Sequence, residues 1–262
     1  MNPISIVGAG PGALDLMTIR AQQRLKSADV LVWTDSLIPI QITKLVKDDC
    51  EKIKTSSLTL EEILLILIKK HKEGKKIVRL HDGDPCLYGA ISEQICRLND
   101  EGIEVEVVPG VSAYQATAAT LGFELTVPDL TQTIILSRAD GRTGKPERES
   151  LQKLASIQSS LCLYLSARHV EEVQSILIKY YPANTPVAIA YRVTWPDEWI
   201  KVIPLTEMAK TSQEQNLIRT TLYIISPTLK IGNNRSKLYN PTHSHLFRSV
   251  SYTHLRAHET VR

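Results

Sequence analysis

A glycine-rich turn near the start of the chain has the spacing of a ligand-binding loop. The apolar run at residues 4–7 leads into Gly8, Gly10 and Ala13, which together spell G-x-G-x-x-A. This spacing is typical of turns that cradle a dinucleotide pyrophosphate, because glycine lets the backbone approach a ligand closely. Pro11 lies inside the turn, however, and proline has no N–H group to donate to a phosphate. The pattern therefore indicates either a ligand other than a pyrophosphate or a tight turn that binds nothing.

Acidic residues lie where two further predicted strands end. In LHDGDPCLYG, residues 80–89, Asp82 and Asp84 flank Gly83 directly after a strand. Their carboxylates could accept hydrogen bonds from ribose hydroxyls or an amino group, or they could form an Asx turn and bind no ligand. Asp35 ends the strand ADVLVWTD, at about the distance from the first turn where dinucleotide enzymes place an acid that binds the ribose. Open α/β sheets bind ligands at such strand ends, so these residues are candidates for one site.

A third loop joins a predicted strand to a helix of small residues. In VVPGVSAYQATAA, residues 107–119, Ser112 is suited to the N-cap position of the helix. The alanines that follow permit close approach by a ligand, although an ordinary capped helix packed on a sheet would have the same composition. Three loops at three strand ends support a binding site more strongly together than separately.

A loop in the second half of the chain carries a cluster of cations. The stretch ILSRADGRTGKPERE, residues 135–149, follows a predicted strand and contains Arg138, Arg142, Lys145 and Arg148. Guanidinium groups bind carboxylates through paired hydrogen bonds, so Arg138 and Arg142 are candidate partners for an acidic ligand. A solvated charged loop is the alternative interpretation.

Alternating strand and helix patterns must position these loops. In the first half, short apolar runs alternate with amphipathic stretches, one of which begins at the capping box T-x-x-E of residues 59–62 and ends at Gly74. This alternation predicts a parallel sheet with crossover helices, whereas the second half predicts a mixed sheet. The predicted fold is thus α/β with two α/β domains. The predicted segments are a first domain at 1–128, a second domain at 129–228 and a polar tail at 229–262.

Composition and charge exclude several functional classes. The 262 residues are 43% hydrophobic, which is enough for one large or two small cores, and the net charge of +3 gives no indication of nucleic-acid binding. The longest apolar stretch, residues 63–68, is far shorter than the roughly 20 residues of a membrane span, and the start does not resemble a signal peptide. We therefore expect a cytoplasmic protein. The dispersed cysteines and the tail histidines indicate neither disulfides nor a metal site.

Taken in order, three motifs resemble the signatures of one enzyme family. VGAGPGALDLMTIRA, GDPCLYG and VVPGVSAYQATAATLGFELT are similar to those of the tetrapyrrole (corrin and sirohaem) methylases, and the similarity extends to about residue 249. Within the family, LTVPDLTQTIILSRADGRT and SKLYNPTHSHLFRS are most similar to the branch that methylates C11 of precorrin-4 or its cobalt form. The resemblance implies a methyltransferase of cobalamin biosynthesis, with S-adenosylmethionine in the cleft between two α/β domains of a homodimer.

The same resemblance implies roles for individual residues. Asp35 corresponds to an acid that serves as proton acceptor in sirohaem-forming relatives, with a spacing that differs by one residue. Precorrins carry acetate and propionate groups, so Arg138 and Arg142 are predicted to bind substrate on the basis of charge alone. The residues that match the family's cofactor contacts are Pro11, Asp82, Gly83, Asp84, Leu87, Ser112, Ala113, Leu165 and Val193.

Other functions stay open at the level of the sequence. They are methylation of another precorrin ring position, cofactor binding without catalysis, and a dinucleotide-dependent oxidoreductase. The stretch VSYTHLRAHET, residues 250–260, resembles a translated sequencing-library adapter. We therefore expect residues 250–262 to be a non-native extension without a role in function.

Overall fold

The computed structural model describes residues 2–140 and 144–230, and its first sheet is parallel throughout. The strands are β1 (Ile4–Gly8), β2 (Val30–Trp33), β3 (Glu51–Lys54), β4 (Ile77–His81) and β5 (Val105–Val108). Their order is β3-β2-β4-β1-β5, so β1 lies between β4 and β5. Every residue of β1, β2 and β4 is buried, as expected for a parallel sheet covered on both faces.

Local signals set the helix boundaries in the first half. The helices are α1 (Ile19–Ser27), α2 (Leu60–Lys72), α3 (Ile91–Asp100) and α4 (Ala113–Leu121). The predicted capping box of Thr59 and Glu62 forms before α2, and the Thr18 hydroxyl accepts a hydrogen bond from the Ala21 N–H at the start of α1. Strand β3 was missing from the prediction, because its sequence EKIK is charged and largely exposed at the edge of the sheet.

The second sheet is mixed, which confirms the prediction. Its strands are β6 (Ile134–Arg138), β7 (Ser160–Tyr164), β8 (Pro186–Tyr191), β9 (Trp199–Pro204) and β10 (Thr221–Ile225), in the order β6-β7-β10-β8-β9. Strands β6 and β7 are parallel, whereas β10 is antiparallel to both β7 and β8. The helices of this half are α5 (Leu151–Ala155), α6 (Val170–Leu177) and α7 (Met208–Glu214).

Helix α4 joins the two halves, because it packs on the second sheet. Its Ala116 belongs to one apolar cluster with Cys162, Ala188 and Leu222 of β7, β8 and β10. Helices α5, α6 and α7 contribute to a separate cluster with the same sheet. The predicted domain boundary at residue 128 falls between β5 and β6, and as a boundary it stays a prediction.

Two features are absent from the part of the chain that the structure describes. Within residues 2–140 and 144–230, no helix is long and apolar enough to cross a membrane. In the same ranges, no group of three histidine, cysteine, aspartate or glutamate side chains is placed to hold a metal ion. The tail histidines and the predicted extension at 250–262 lie outside the described residues, as does nearly all of the tail at 229–262.

Burial of His81 leads us to expect a loss of folding stability in mild acid. It is buried at the end of β4, and its Nε2 atom has no partner in the described part of the chain. Burial, and then the nearby Arg79 guanidinium, lower the pKa of His81 to about 3, whereas an unfolded histidine titrates near 6.5. Between these values the unfolded chain binds the extra proton. We therefore expect this residue to lower the free energy of unfolding by about 1 kcal/mol per pH unit below about 6.5.

Urea unfolding of the wild type and of His81→Gln, at about pH 7.5, 6 and 5, measures this contribution. The variant should lose less stability on acidification than the wild type. The same pH dependence in both proteins would contradict the assignment to His81.

Candidate active site between two sheet edges

The structure brings the first two predicted loops into direct contact. Gly10, after β1, and Gly83, after β4, form an isolated antiparallel bridge. The Gly10 N–H donates to the Gly83 carbonyl at 3.2 Å, and the Gly83 N–H donates to the Gly10 carbonyl at 2.9 Å. Because β4, β1 and β5 are parallel neighbours, the loops that follow them lie together at the carboxyl-terminal end of the sheet, which is called its edge below.

The glycines of these loops are needed for packing of the chain against itself. A Cβ atom at Gly8 would lie 2.6 Å from the Gly83 oxygen, and one at Gly110 would lie 2.1 Å from the same oxygen. At Gly12, a Cβ atom would lie 2.4 Å from Cδ1 of Trp195. These glycines allow other segments of the chain to approach closely, and the expected approach of a ligand to the same backbone stays a prediction.

The two aspartates of the second loop have different surroundings. The Asp84 carboxylate accepts hydrogen bonds from the Cys86 N–H at 2.8 Å and the Gly110 N–H at 2.9 Å. It therefore forms the Asx turn that the sequence left open, and it also fastens the second loop to the third. Asp82 is accessible to solvent, and no side chain of the described residues donates a hydrogen bond to its carboxylate. The protein packed around it partly desolvates the carboxyl group and raises its pKa.

The second sheet presents a matching edge. Strand directions place the ends of β6, β7 and β8 on one side, and these ends carry Arg138, Leu165 and Val193. Leu165 is 69% exposed and has a φ of +51°, whereas Val193 is buried. A large apolar side chain held exposed in the left-handed region is unfavourable without a compensating contact, and such strain is concentrated at ligand sites.

The edges of the two sheets face each other and are joined by Tyr164, the last residue of β7. Its hydroxyl lies 2.8 Å from the Ser112 hydroxyl and accepts a hydrogen bond from the Tyr114 N–H at 3.1 Å. The ring centroids of Tyr164 and Tyr88 are 5.6 Å apart. Ser112 is the N-cap residue of α4, as predicted, so the joint fixes the start of this helix.

A second set of hydrogen bonds connects the two sheets, between the turn after β8 and the first glycine loop. The Trp195 indole N–H donates to the Pro11 carbonyl at 3.0 Å, and the Ala13 N–H donates to the Thr194 hydroxyl at 2.9 Å. The predicted cofactor residues of the first half thus lie on the edge that faces Leu165 and Val193. These residues are Pro11, Asp82, Gly83, Asp84, Leu87, Ser112 and Ala113. Their contact with a cofactor stays a prediction.

Removal of the Tyr164 hydroxyl tests its role in connecting the two sheets. Burial raises the pKa of Tyr164 to about 12, so the hydroxyl is protonated at neutral pH. We expect Tyr164→Phe to lower the free energy of unfolding by about 1–2 kcal/mol, because it leaves the Tyr114 N–H unpaired, and to weaken ligand binding in the cleft. Tyr181→Phe is the matched control, since its buried hydroxyl donates to the Ser159 carbonyl away from the cleft. Urea unfolding and calorimetry distinguish the two, and equal effects of both variants on ligand affinity would contradict a special role for Tyr164.

The cationic loop is only partly described. The Arg138 guanidinium donates to the carbonyls of Ala139 at 3.3 Å and Gly144 at 2.5 Å, and it forms no ion pair with a described carboxylate. The Lys145 ammonium donates to the Ser137 hydroxyl at 2.9 Å, and burial lowers its pKa. Lys145 therefore anchors the loop, whereas the role of Arg138 toward an acidic ligand stays a prediction. The predicted partner Arg142 lies outside the described residues.

Asp35 follows β2 at the same edge of the first sheet. Its Oδ1 atom accepts a hydrogen bond from the Ser56 N–H at 3.1 Å. Burial acts to raise the pKa of Asp35, but the hydrogen bonds from Ser56 outweigh it and the pKa is lowered. The carboxylate is thus ionised at neutral pH, as a proton acceptor requires, and the assignment of that role stays a prediction.

Sequence reasoning missed the residues that join the two sheets. Tyr164, Thr194 and Trp195 each follow or end a strand of the second sheet, within LYLS and YRVTWP. A tryptophan and a threonine directly after a predicted strand, at the ligand-binding edge, would have been the available signal. Their partners are 50 to 184 residues away in the sequence, so the pairing itself left no local pattern.

Residues 3–209 match the family described as Tetrapyrrole (Corrin/Porphyrin) Methylases. The chain belongs to this family. A cobalt-precorrin-4 C(11)-methyltransferase from Methanocaldococcus jannaschii is 39% identical over 247 residues, which cover 94% of this chain and 95% of the relative. The family assignment agrees with the resemblance found in the three loop motifs.

Solved structures of methyltransferases share the fold. A cobalt precorrin-4 methyltransferase superposes with a TM-score of 0.84 at 38% identity, covering 87% of this chain and 96% of that structure. A uroporphyrin-III C-methyltransferase from Thermus thermophilus, in complex with S-adenosyl homocysteine, gives a TM-score of 0.72 at 25% identity, covering 87% and 99%. These similarities confirm the predicted α/β fold.

Proposed function

We propose that this chain transfers the methyl group of S-adenosylmethionine to C11 of precorrin-4, or of its cobalt form, in cobalamin biosynthesis. The observation that carries the proposal is the identity of 39% with a C11-methyltransferase over 94% of this chain. The facing sheet edges support it, because glycine-packed loops, an exposed carboxylate and an exposed apolar side chain all lie on them.

The residues of the cleft suit a sulfonium nucleoside better than a dinucleotide. Pro11 presents a carbonyl and no N–H group to its surroundings, so this turn lacks a donor that a pyrophosphate would need. Asp82 offers an accessible carboxylate for ribose hydroxyls or an amino group, and Leu165 offers an apolar surface. The sulfonium supplies an already activated methyl group, so the protein has to align the two reactants and exclude water.

Charged residues near the cleft are assigned to the tetrapyrrole. Arg138 is proposed to bind a rim carboxylate through its guanidinium, together with Arg142. Asp35 is proposed to accept a proton from the substrate, in agreement with the hydrogen bond that keeps its carboxylate ionised. We further infer a homodimer, on the basis of the family resemblance, and action in the cytoplasm, as expected from the sequence.

A labelling experiment tests the proposed reaction. The chain is incubated with methyl-labelled S-adenosylmethionine and either precorrin-4 or cobalt-precorrin-4, and the product is located by mass spectrometry and NMR. The expected result is one new methyl group at C11. Label at another carbon would retain the family and refute the position, whereas binding of the donor without product would indicate a binding protein. Binding of NAD(P) in place of the methyl donor would overturn the proposal.

A further inference from the structure

A turn of the second sheet contacts the first glycine loop, which belongs to the first sheet. This turn, residues 192–198, connects β8 to β9 and is called the clasp below. Trp195 donates its indole N–H to the Pro11 carbonyl at 3.0 Å, and Thr194 accepts the Ala13 N–H at 2.9 Å. Two consecutive residues of the clasp therefore satisfy two backbone groups of the loop, on either side of Gly12.

The fit between the two segments is steric as well as polar. A Cβ atom at Gly12 would lie 2.4 Å from Cδ1 and 2.8 Å from Nε1 of Trp195, and 3.1 Å from the Thr194 hydroxyl oxygen. The indole thus occupies the space that any side chain at position 12 would need. A glycine at this position is required by the clasp, whatever the cleft binds.

Contacts within the clasp accompany its contacts with the loop. The Trp195 N–H donates to the Arg192 carbonyl at 2.9 Å, and the Thr194 N–H donates to the Glu198 carboxylate at 2.5 Å. The Arg192 guanidinium lies 4.8 Å from the Trp195 ring centre and pairs with Asp197 at 2.5 Å. This stacking restricts the indole, as cation–π contacts do.

Backbone strain marks the same turn. Arg192 and Thr194 have φ values of +46° and +67°, in a region that costs residues other than glycine about 1 kcal/mol or more. Val193, predicted to contact the cofactor, lies between them and is buried. On the far side of Val193, Thr194 and Trp195 contact the first glycine loop, so this strained turn connects a predicted cofactor residue of the second sheet to the Pro11–Ala13 segment.

We propose that Trp195 and Thr194 are positioning residues, which hold the Pro11–Ala13 segment in the orientation that binds the methyl donor. This inference rests on the proposed function and adds residues to its site. Neither side chain has to touch the donor. Trp195 acts by fixing the Pro11 carbonyl, and Thr194 acts by fixing the Ala13 N–H.

Two variants test the proposal by calorimetric titration with S-adenosylmethionine and by steady-state kinetics. Trp195→Phe keeps an aromatic ring and removes the donor, and Thr194→Val keeps the shape and removes the acceptor. Loss of one neutral hydrogen bond predicts a Kd for S-adenosylmethionine that is about threefold to tenfold higher in each variant. The KM for the methyl donor should rise by the same factor, while the KM for the tetrapyrrole stays within about twofold of the wild type.

Trp199→Phe is the matched control, because Trp199 is a half-buried tryptophan at the start of β9 that packs against the apolar cluster of the second sheet. Its Kd for S-adenosylmethionine should equal that of the wild type. Unchanged donor affinity in both Trp195→Phe and Thr194→Val, or an equal loss in Trp199→Phe, would overturn the positioning role. If the wild type itself does not bind S-adenosylmethionine, the proposed function fails, and this result is distinct from failure of the clasp.

Discussion

Gly110→Ala is expected to abolish binding of the methyl donor and to destabilise the protein strongly. The new Cβ atom would lie 2.1 Å from the Gly83 carbonyl oxygen and 3.1 Å from the Gly8 Cα atom. Both are backbone atoms, one at the end of β1 and one in the loop after β4, so no side chain can rotate away to relieve the clash. We expect a cost of about 3 kcal/mol, which lowers Tm by about 6–12 °C in a chain of this size.

Gly102→Ala separates steric effects from backbone effects. Gly102 follows α3 at a φ of +72°, and a Cβ atom there would meet nothing within 4 Å. The strain of a left-handed alanine should cost about 1 kcal/mol and leave donor affinity unchanged. Thermal unfolding and calorimetric titration compare the two variants. Gly110→Ala with wild-type affinity and the stability of Gly102→Ala would show that the three loops are not packed as described.

Asp84→Asn is expected to have the second largest effect. The carboxylate accepts the N–H groups of Cys86 and Gly110, and an asparagine has only one oxygen for two donors. The NH2 group of the asparagine would face one of these N–H groups, so one backbone donor is left unpaired. We expect the free energy of unfolding to fall by about 2–3 kcal/mol and donor affinity to fall at least about tenfold, because the second and third loops are no longer fastened together.

Asp29→Asn provides a control with the same chemistry at the other end of the sheet. Asp29 precedes β2, and its carboxylate accepts the Lys76 N–H at 2.9 Å and the Lys47 ammonium at 3.0 Å. Its replacement should lower stability in urea without altering the Kd for S-adenosylmethionine. If Asp29→Asn and Asp84→Asn reduce donor affinity equally, the effect of Asp84 is a general loss of stability and not a property of the site.

Asp82 and Asp84 belong to one short motif but have different surroundings in the structure. Both flank Gly83 in one short sequence, and the sequence offered the same two roles to both. The structure uses Asp84 to join two loops and leaves Asp82 accessible to solvent. The difference depends on Gly110, which is 26 residues away from Asp84 and becomes its neighbour only when β4, β1 and β5 align.

The sequence by itself determined the features whose causes lie within a few residues. The capping box at Thr59, the N-cap at Ser112 and the alternation of strands with helices each depend on local backbone hydrogen bonding and on periodic burial. The family was determined in the same way, because its motifs are local and ordered. Charged strand β3 was missed, since an exposed edge strand lacks the apolar pattern.

Only the tertiary structure decided how the two sheets meet. The pairing of Trp195 with Pro11 spans 184 residues, and that of Tyr164 with Ser112 spans 52. Such contacts arise from strand order and from the packing of α4 on the second sheet, which sum many weak contributions over the whole chain. The sequence therefore identified the glycine loops, whereas the structure identified the tyrosine and the tryptophan that join them to the opposite edge.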